Sequence, residues 1–274
     1  MSSRRGAFSV ELTAHSLQVD FLRIFDVEIV ILTALGVGGA TVLGAAIGLI
    51  FRHTSARFND GTMAFAAGVM LCAAMTGLIL PSLELGGSLG FFTTIVGIFL
   101  GAGCVNLMDI LSLRLFSRRE KSLSVRTDRR ARQVFLFVMA IAIHNLPEGI
   151  AAGVGFGSGD MTDGIFIATA IALQNIPEGM AVIVAMLDIG MKRRRTFYYA
   201  ALTGLVEIFG TLVGYYAVNL SEVILPFALA FAGGNMLYVI ADEMIPETHS
   251  SDGKASTYFM LAGFCLMLVI GVIL

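Results

Sequence analysis

The sequence predicts an all-α polytopic membrane protein with eight transmembrane helices, and three observations carry that prediction. The first is composition: of 274 residues, 57% are hydrophobic and 14% charged, where soluble domains carry about 25% charged residues. The second is a series of eight apolar runs, each long enough to span a bilayer. The third is a loop-by-loop alternation of basic and uncharged connections. A mean hydropathy of +0.85 leaves too few polar side chains to coat a soluble surface, and it excludes a disordered chain. A net charge of −2 gives no electrostatic case for a nucleic-acid partner. Cys72, Cys104 and Cys265 each fall inside an apolar run. An odd number at such spacing makes neither a disulfide framework nor a CxxC metal site, so three small core residues are expected.

A spanning helix needs about 20 mostly apolar residues. The runs are 27–51, 62–81, 88–111, 133–157, 164–188, 197–219, 223–244 and 256–274. They form one transmembrane domain, 27–274, behind an N-terminal leader, 1–26. That leader is no secretory signal, because Glu11, His15, Asp20 and Arg23 interrupt any apolar stretch. The connections are short except for 112–132, a basic segment expected to be a flexible loop.

Charge orients the spans. Arg52 and Arg57 follow the first run, arginines from Arg114 to Arg132 follow the third, Lys192 to Arg195 follow the fifth, and Lys254 follows the seventh. The connections after the second, fourth and sixth runs contain no Lys or Arg. By the positive-inside rule the basic side is cytoplasmic. An even number of spans then puts both termini outside, leaving Arg4, Arg5 and Arg23 of the leader as exceptions.

The chemistry lies halfway across the bilayer. IAIHNLPEGIAAG in the fourth run and IALQNIPEGMAV in the fifth align at a separation of 30 residues. His144-Asn145-x-Pro147-Glu148-Gly149 matches Gln174-Asn175-x-Pro177-Glu178-Gly179. A repeated motif in adjacent spans of opposite direction is the trace of an inverted repeat. His144, Gln174 and Glu207 each lie about 10 or 11 residues into their runs, near the midplane at about 1.5 Å per residue. An ionised carboxylate there costs at least about 2.5 kcal/mol, and no Lys or Arg lies at the centre of any run to offset Glu148, Glu178 and Glu207. A bound cation would supply the missing charge.

Helical spacing sorts the candidate ligands. His144 with Glu148, and Gln174 with Glu178, are i,i+4 and share a face. Asn145 with Glu148, and Asn175 with Glu178, are i,i+3, so each glutamate can serve two neighbouring metal sites. Pro147 and Pro177 are expected to kink their helices and free the carbonyls of Ile143 and Leu173. Gly149 and Gly179 are expected to let those two helices approach closely. The alternative is a pair of packed kinks with internally satisfied polar groups, which two motifs at matched depth, plus Glu207, disfavour. Met70 also lies near the midplane. A thioether in an apolar span is usually core filler, but beside imidazole and carboxylate it would favour a soft or borderline ion.

These residues resemble the ZIP (Zrt/Irt-like) metal-ion transporter family, and within it the GufA-like branch. The paired HNxPEG and QNxPEG segments carry the resemblance, with the basic segment after the third run, Glu207, and NMLYVIADEMIPETH closing the seventh. It implies a 3+2+3 arrangement, the first and last three spans being related by inverted symmetry. It also implies divalent zinc-type substrates (Zn2+, with Cd2+, Fe2+ and Mn2+ as relatives), no ATP and commonly a homodimer. Carried over by position, the first metal site would be Met70, His144, Glu148, Gln174 and Glu178. The second would be Asn145, Glu148, Asn175, Glu178 and Glu207. Many eukaryotic relatives have HExPHE where this chain has Gln174 and Asn175, a substitution that lowers the charge available to a second ion. The resemblance places a metal exit pathway at Asp242, Glu243, Glu247 and His249. Glu84, just after Pro81 at the outer end of the second run, is a candidate for attracting cations from outside. A bacterial inner (plasma) membrane is the expected location, with the lipid bilayer as surroundings and no resident cofactor.

The leading expectation is a secondary transporter moving zinc or a related divalent ion into the cytoplasm. An intramembrane zinc protease would need a glutamate directly after the first histidine, as in HExxH; Asn145 stands there, so an enzyme is not expected. A divalent cation/proton antiporter also uses paired mid-membrane carboxylates, and His144 with Gln174 favours a transition metal without deciding the coupling.

Overall fold

The computed structural model describes residues 27–51, 55–122, 129–158, 161–188, 190–219, 222–248 and 253–274, and no strand occurs among them. Eight long helices follow in order. α1 is Val27–Ile50. α2 (56–85) runs as Ala56–Ala73, a π turn Ala74–Ile79, and Leu80–Leu85. α3 is Gly90–Ser122, α4 Arg129–Val154, α5 Met161–Asp188 and α6 Arg193–Asn219. α7 (225–248) runs as Leu225–Val239, a π turn Ile240–Met244, and Ile245–Thr248. α8 is Gly253–Ile273.

All but α4 are long and apolar enough, over the described residues, to cross a membrane; α4 has 26 residues, about 39 Å at 1.5 Å per residue. Helix is what lipid demands, since each backbone N–H and C=O must be satisfied within its own segment. The eight apolar runs therefore match eight helices. The basic segment 112–132 does not match its expectation. α3 continues to Ser122 and α4 begins at Arg129, so helix covers 112–122 and 129–132 of the anticipated loop, and 123–128 lie outside the described residues. The leader 1–26 lies outside the described residues.

Packing is pairwise: α4 lies on α6, α3 on α7 and α2 on α8, with further contact of α2 with α5 and of α4 with α7. α1 lies against α5 and α6, where a Cβ on Gly44 would meet the Ile176 backbone and one on Gly38 the Gly204 backbone. Backbones touch because small residues line the crossings, which is how helices associate when lipid is as apolar as Leu. Here the two motif glycines act differently from expectation. A Cβ on Gly149 would strike the carbonyl oxygen of Glu207 on α6, and one on Gly179 that of Thr41 on α1. Each glycine thus seats its helix on an outer neighbour rather than on the other motif helix.

The π turns of α2 and α7 are each followed by a proline, Pro81 and Pro246. Beyond them the helix tips are tied to neighbours. Ser82 donates to the Pro226 carbonyl at 2.6 Å and lies 2.7 Å from the Thr94 hydroxyl on α3. Ser256 on α8 donates to the Thr248 carbonyl at 2.6 Å. The buried core gathers Met70, Leu78, Ile167, Ile171, Leu229 and Met236, while Phe91, Phe99, Phe209, Tyr258 and Val272 are exposed, as lipid-facing side chains should be. Of the three free cysteines only Cys72 is a core residue; Cys104 is half-buried and Cys265 exposed, because α8 turns one face away from the bundle.

Candidate metal centre

α4 and α5 stay helical through Pro147 and Pro177, so neither proline breaks its span. The two motifs deliver His144, Asn145, Glu148, Gln174 and Asn175 to buried positions, and α6 adds Glu207, which has no exposed surface. Glu178 is half-buried and within electrostatic reach of both His144 and Glu207.

Glu207 is the hub. Thr41 Oγ1 donates to its Oε1 at 2.7 Å, and Asn145 Nδ2 donates to the same oxygen. Asn175 Nδ2 donates to Oε2 at 2.6 Å and also to the Val37 carbonyl at 3.2 Å. Gln174 Nε2 donates to Asn175 Oδ1 at 3.3 Å, and Gln174 is also the hydrogen-bonding neighbour of Glu148. Among the described residues four buried oxygens are left without a hydrogen-bond donor: Asn145 Oδ1, Glu148 Oε2, Gln174 Oε1 and, on α7, Asn235 Oδ1. Buried oxygens without a donor are costly in a dry interior. The first three belong to residues the motif spacing selects as ligands, and one of them is a carboxylate oxygen.

His144 faces elsewhere. Its Nε2 lies 2.8 Å from Glu243 Oε1 and 3.9 Å from Asp109 Oδ1. One ligand atom from each of Asp109, His144 and Glu243 falls within 4.8 Å of the others, a grouping able to hold a cation. Glu243 belongs to the set expected along the exit. Its neighbour Asp242 is exposed and hydrogen-bonded to Tyr238. The side chain of Glu247 and the whole of His249 lie outside the described residues. Glu84 is exposed at the end of α2, and Met70 is buried in the apolar cluster that also contains Ala151 and Ile171.

Two participants escaped the sequence reading. Asp109 carried a usable signal: it is the one acidic residue in the run 88–111, and an ionisable residue inside a span is functional by default. Its nearness to the basic segment disguised it as an interfacial charge. Thr41 carried none, since a helical threonine hydroxyl usually bonds its own backbone.

A family model described as ZIP Zinc transporter matches residues 117–271, which takes in both motifs, Glu207 and Glu243. The chain belongs to the ZIP family. Among ZIP relatives, zinc transporter GufA of Myxococcus xanthus is 34% identical, with 88% of this chain and 96% of that protein aligned. Zinc transporter ZIPB of Bordetella bronchiseptica is 34% identical over 84% of this chain and 76% of its own length. Human zinc transporter ZIP11 is 32% identical over 85% of this chain and 94% of its own length. The GufA-like branch suggested by HNxPEG and QNxPEG is thus where the relatives fall.

Proposed function

We propose that this protein is a secondary transporter that carries zinc or a related divalent transition-metal ion across the membrane into the cytoplasm. The observation that carries the reading is that three of the donor-less buried oxygens, Asn145 Oδ1, Glu148 Oε2 and Gln174 Oε1, belong to the two motifs, in spans that hold no basic side chain at that depth. A dehydrated divalent ion is the group that such oxygens and carboxylates accommodate. Glu148 and Glu178 supply the charge, His144 and Met70 favour a borderline ion over Mg2+ or Ca2+, and Asn145, Asn175 and Glu207 surround a second position.

Release runs from His144 to Glu243 and Asp109, because one imidazole stands between the motif carboxylates and these two acids. The arginine distribution makes that end cytoplasmic and both termini external. The 3+2+3 inverted repeat is supported by the packing: α2 on α8 answers α7 on α3, α1 on α5 answers α6 on α4, and each half has a π turn followed by proline. Alternating access then comes from the α4–α5 unit moving against the flanking repeats. A homodimer in a bacterial inner membrane completes the proposal, on the family resemblance.

Zn2+ uptake into proteoliposomes, with and without a pH gradient, tests the function: metal-dependent accumulation is expected, and its absence would overturn it. Obligatory counterflow of protons would identify an antiporter instead. A cysteine at Ser122 should label from the cytoplasmic side only, and labelling from outside in intact cells would reverse the assigned ends.

A further inference from the structure

The hydrogen bonds around Glu207 have a direction. A backbone carbonyl can only accept, and a carboxyl oxygen that faces an amide N–H accepts from it. Asn175 meets one of each, Glu207 Oε2 and the Val37 carbonyl, so both of its amide hydrogens are committed and its nitrogen must point toward them. Its oxygen then faces Gln174, which has to answer with nitrogen. That leaves Gln174 Oε1 without a donor. On the other side, Asn145 gives its nitrogen to Glu207 Oε1 and is left with its own oxygen free. The donor-less amide oxygens of Asn145 and Gln174 are therefore both tied to one carboxylate, Glu207, through the nitrogens of Asn145 and of the Gln174–Asn175 pair.

What keeps that carboxylate in place is Thr41. Its hydroxyl reaches Glu207 Oε1 from α1, 166 residues away in sequence and buried. The helical alternative for that hydroxyl, the carbonyl of Val37 one turn earlier, is instead occupied by Asn175. The backbone of the same residue is the seat of Gly179, next to Glu178. One residue on α1 thus touches α5 by its carbonyl and α6 by its hydroxyl, between the two halves of the centre.

We infer that Thr41 is a positioning residue of the metal centre: its hydroxyl holds Glu207, which turns the amide nitrogens inward and leaves the oxygens of Asn145 and Gln174 for the ion. The inference rests on reading this centre as a metal site. Partners of this kind, one step removed from the metal, set ligand orientation and are worth about 10–100-fold in affinity.

The experiment compares Zn2+ binding to detergent-purified wild type, Thr41→Val and Thr41→Ser by isothermal titration, with X-ray absorption on the zinc-loaded proteins. Valine keeps the shape and removes the donor; serine keeps the donor. Thr41→Val should bind Zn2+ about tenfold more weakly with fewer oxygen ligands, and Thr41→Ser should recover most of the affinity and the oxygen count. Wild-type affinity in Thr41→Val, or a serine variant as weak as the valine one, would overturn the inference, the second outcome because shape rather than the hydroxyl would then matter. If the valine variant does not purify folded, Thr41→Cys, a weak donor of similar size, replaces it: weaker binding than in Thr41→Ser supports the inference and equal binding overturns it. Failure of the wild type to bind Zn2+ would instead remove the metal reading itself, so the two failures are distinguishable.

Discussion

The two proline motifs are nearly the same six residues, and they do different things. Both stay helical through their proline, and both seat a glycine on a neighbouring backbone, Gly149 on α6 and Gly179 on α1. At the first position they part. His144 reaches away from the centre to Glu243 and Asp109, whereas Gln174 bonds sideways to Asn175. The lesson is that the shared residues supply each motif helix with one carboxylate, the symmetric core of the proposed site, while the His/Gln difference points the α4 motif alone toward two acids.

The largest effect should come from the shared part. Removing one partner of a buried ion pair costs about 3–5 kcal/mol, so Glu148→Ala and Glu178→Ala should each lower Zn2+ binding by more than about 100-fold and nearly abolish uptake. Uptake above half the wild-type rate in either variant would break the symmetric-core reading.

Next comes the difference itself. His144→Gln, which gives both motifs the same first residue, should cut uptake severely because the path to Glu243 loses its metal-ligating imidazole nitrogen. Gln174→His should retain binding and gain no second outlet, since Asp109 and Glu243 group around His144. Equal losses in the two variants, measured as initial rates at saturating Zn2+, would show that the asymmetry has no role.

A smaller change is expected further out. Glu243→Gln and Asp109→Asn should slow uptake by about tenfold or less, the range of groups one step removed from a ligand set, with equilibrium Zn2+ affinity at the core little altered. A loss of affinity equal to that of Glu148→Ala would place both acids in the core instead.

The smallest effect on transport should be that of Gly149→Ala and Gly179→Ala. Each methyl meets a neighbouring backbone carbonyl, and overpacking of this kind costs about 1–3 kcal/mol. Both variants should lower the thermal midpoint by similar amounts. A change confined to one of them would show that α4 and α5 are seated unequally.

How much of this was legible in the sequence depended on whether a feature was local. The spans could be read because hydrophobicity over about 20 residues is a local property, and the motif residues because i,i+3 and i,i+4 spacing fixes a shared face. The helical extension to Ser122 was missed because a charged helix outside the bilayer has no apolar run to announce it. The partnership of His144 with Glu243 crosses between α4 and α7, and the π turn Ile240–Met244 shifts the helical register at that very place, so no spacing rule applies. Thr41 and Glu207 meet across 166 residues, and nothing in GATVLGAA distinguishes a hydroxyl that leaves its own helix from one that does not.

The π turns have a mechanical meaning as well. In each, a backbone N–H reaches five residues back, Leu80 to Met75 and Ile245 to Ile240, and the proline that follows has no N–H to offer. The hydrogen-bonded ladder is thinnest there, while the tips beyond are tied to other helices through Ser82 and Thr248. The tip of α7 is thus held by its hairpin neighbour α8 and that of α2 by both α3 and the start of α7, and the compliance of α2 and α7 is concentrated in one turn apiece. A load applied at either end of the bundle would bend these two helices at Ala74–Ile79 and Ile240–Met244 and leave their remaining turns stiff.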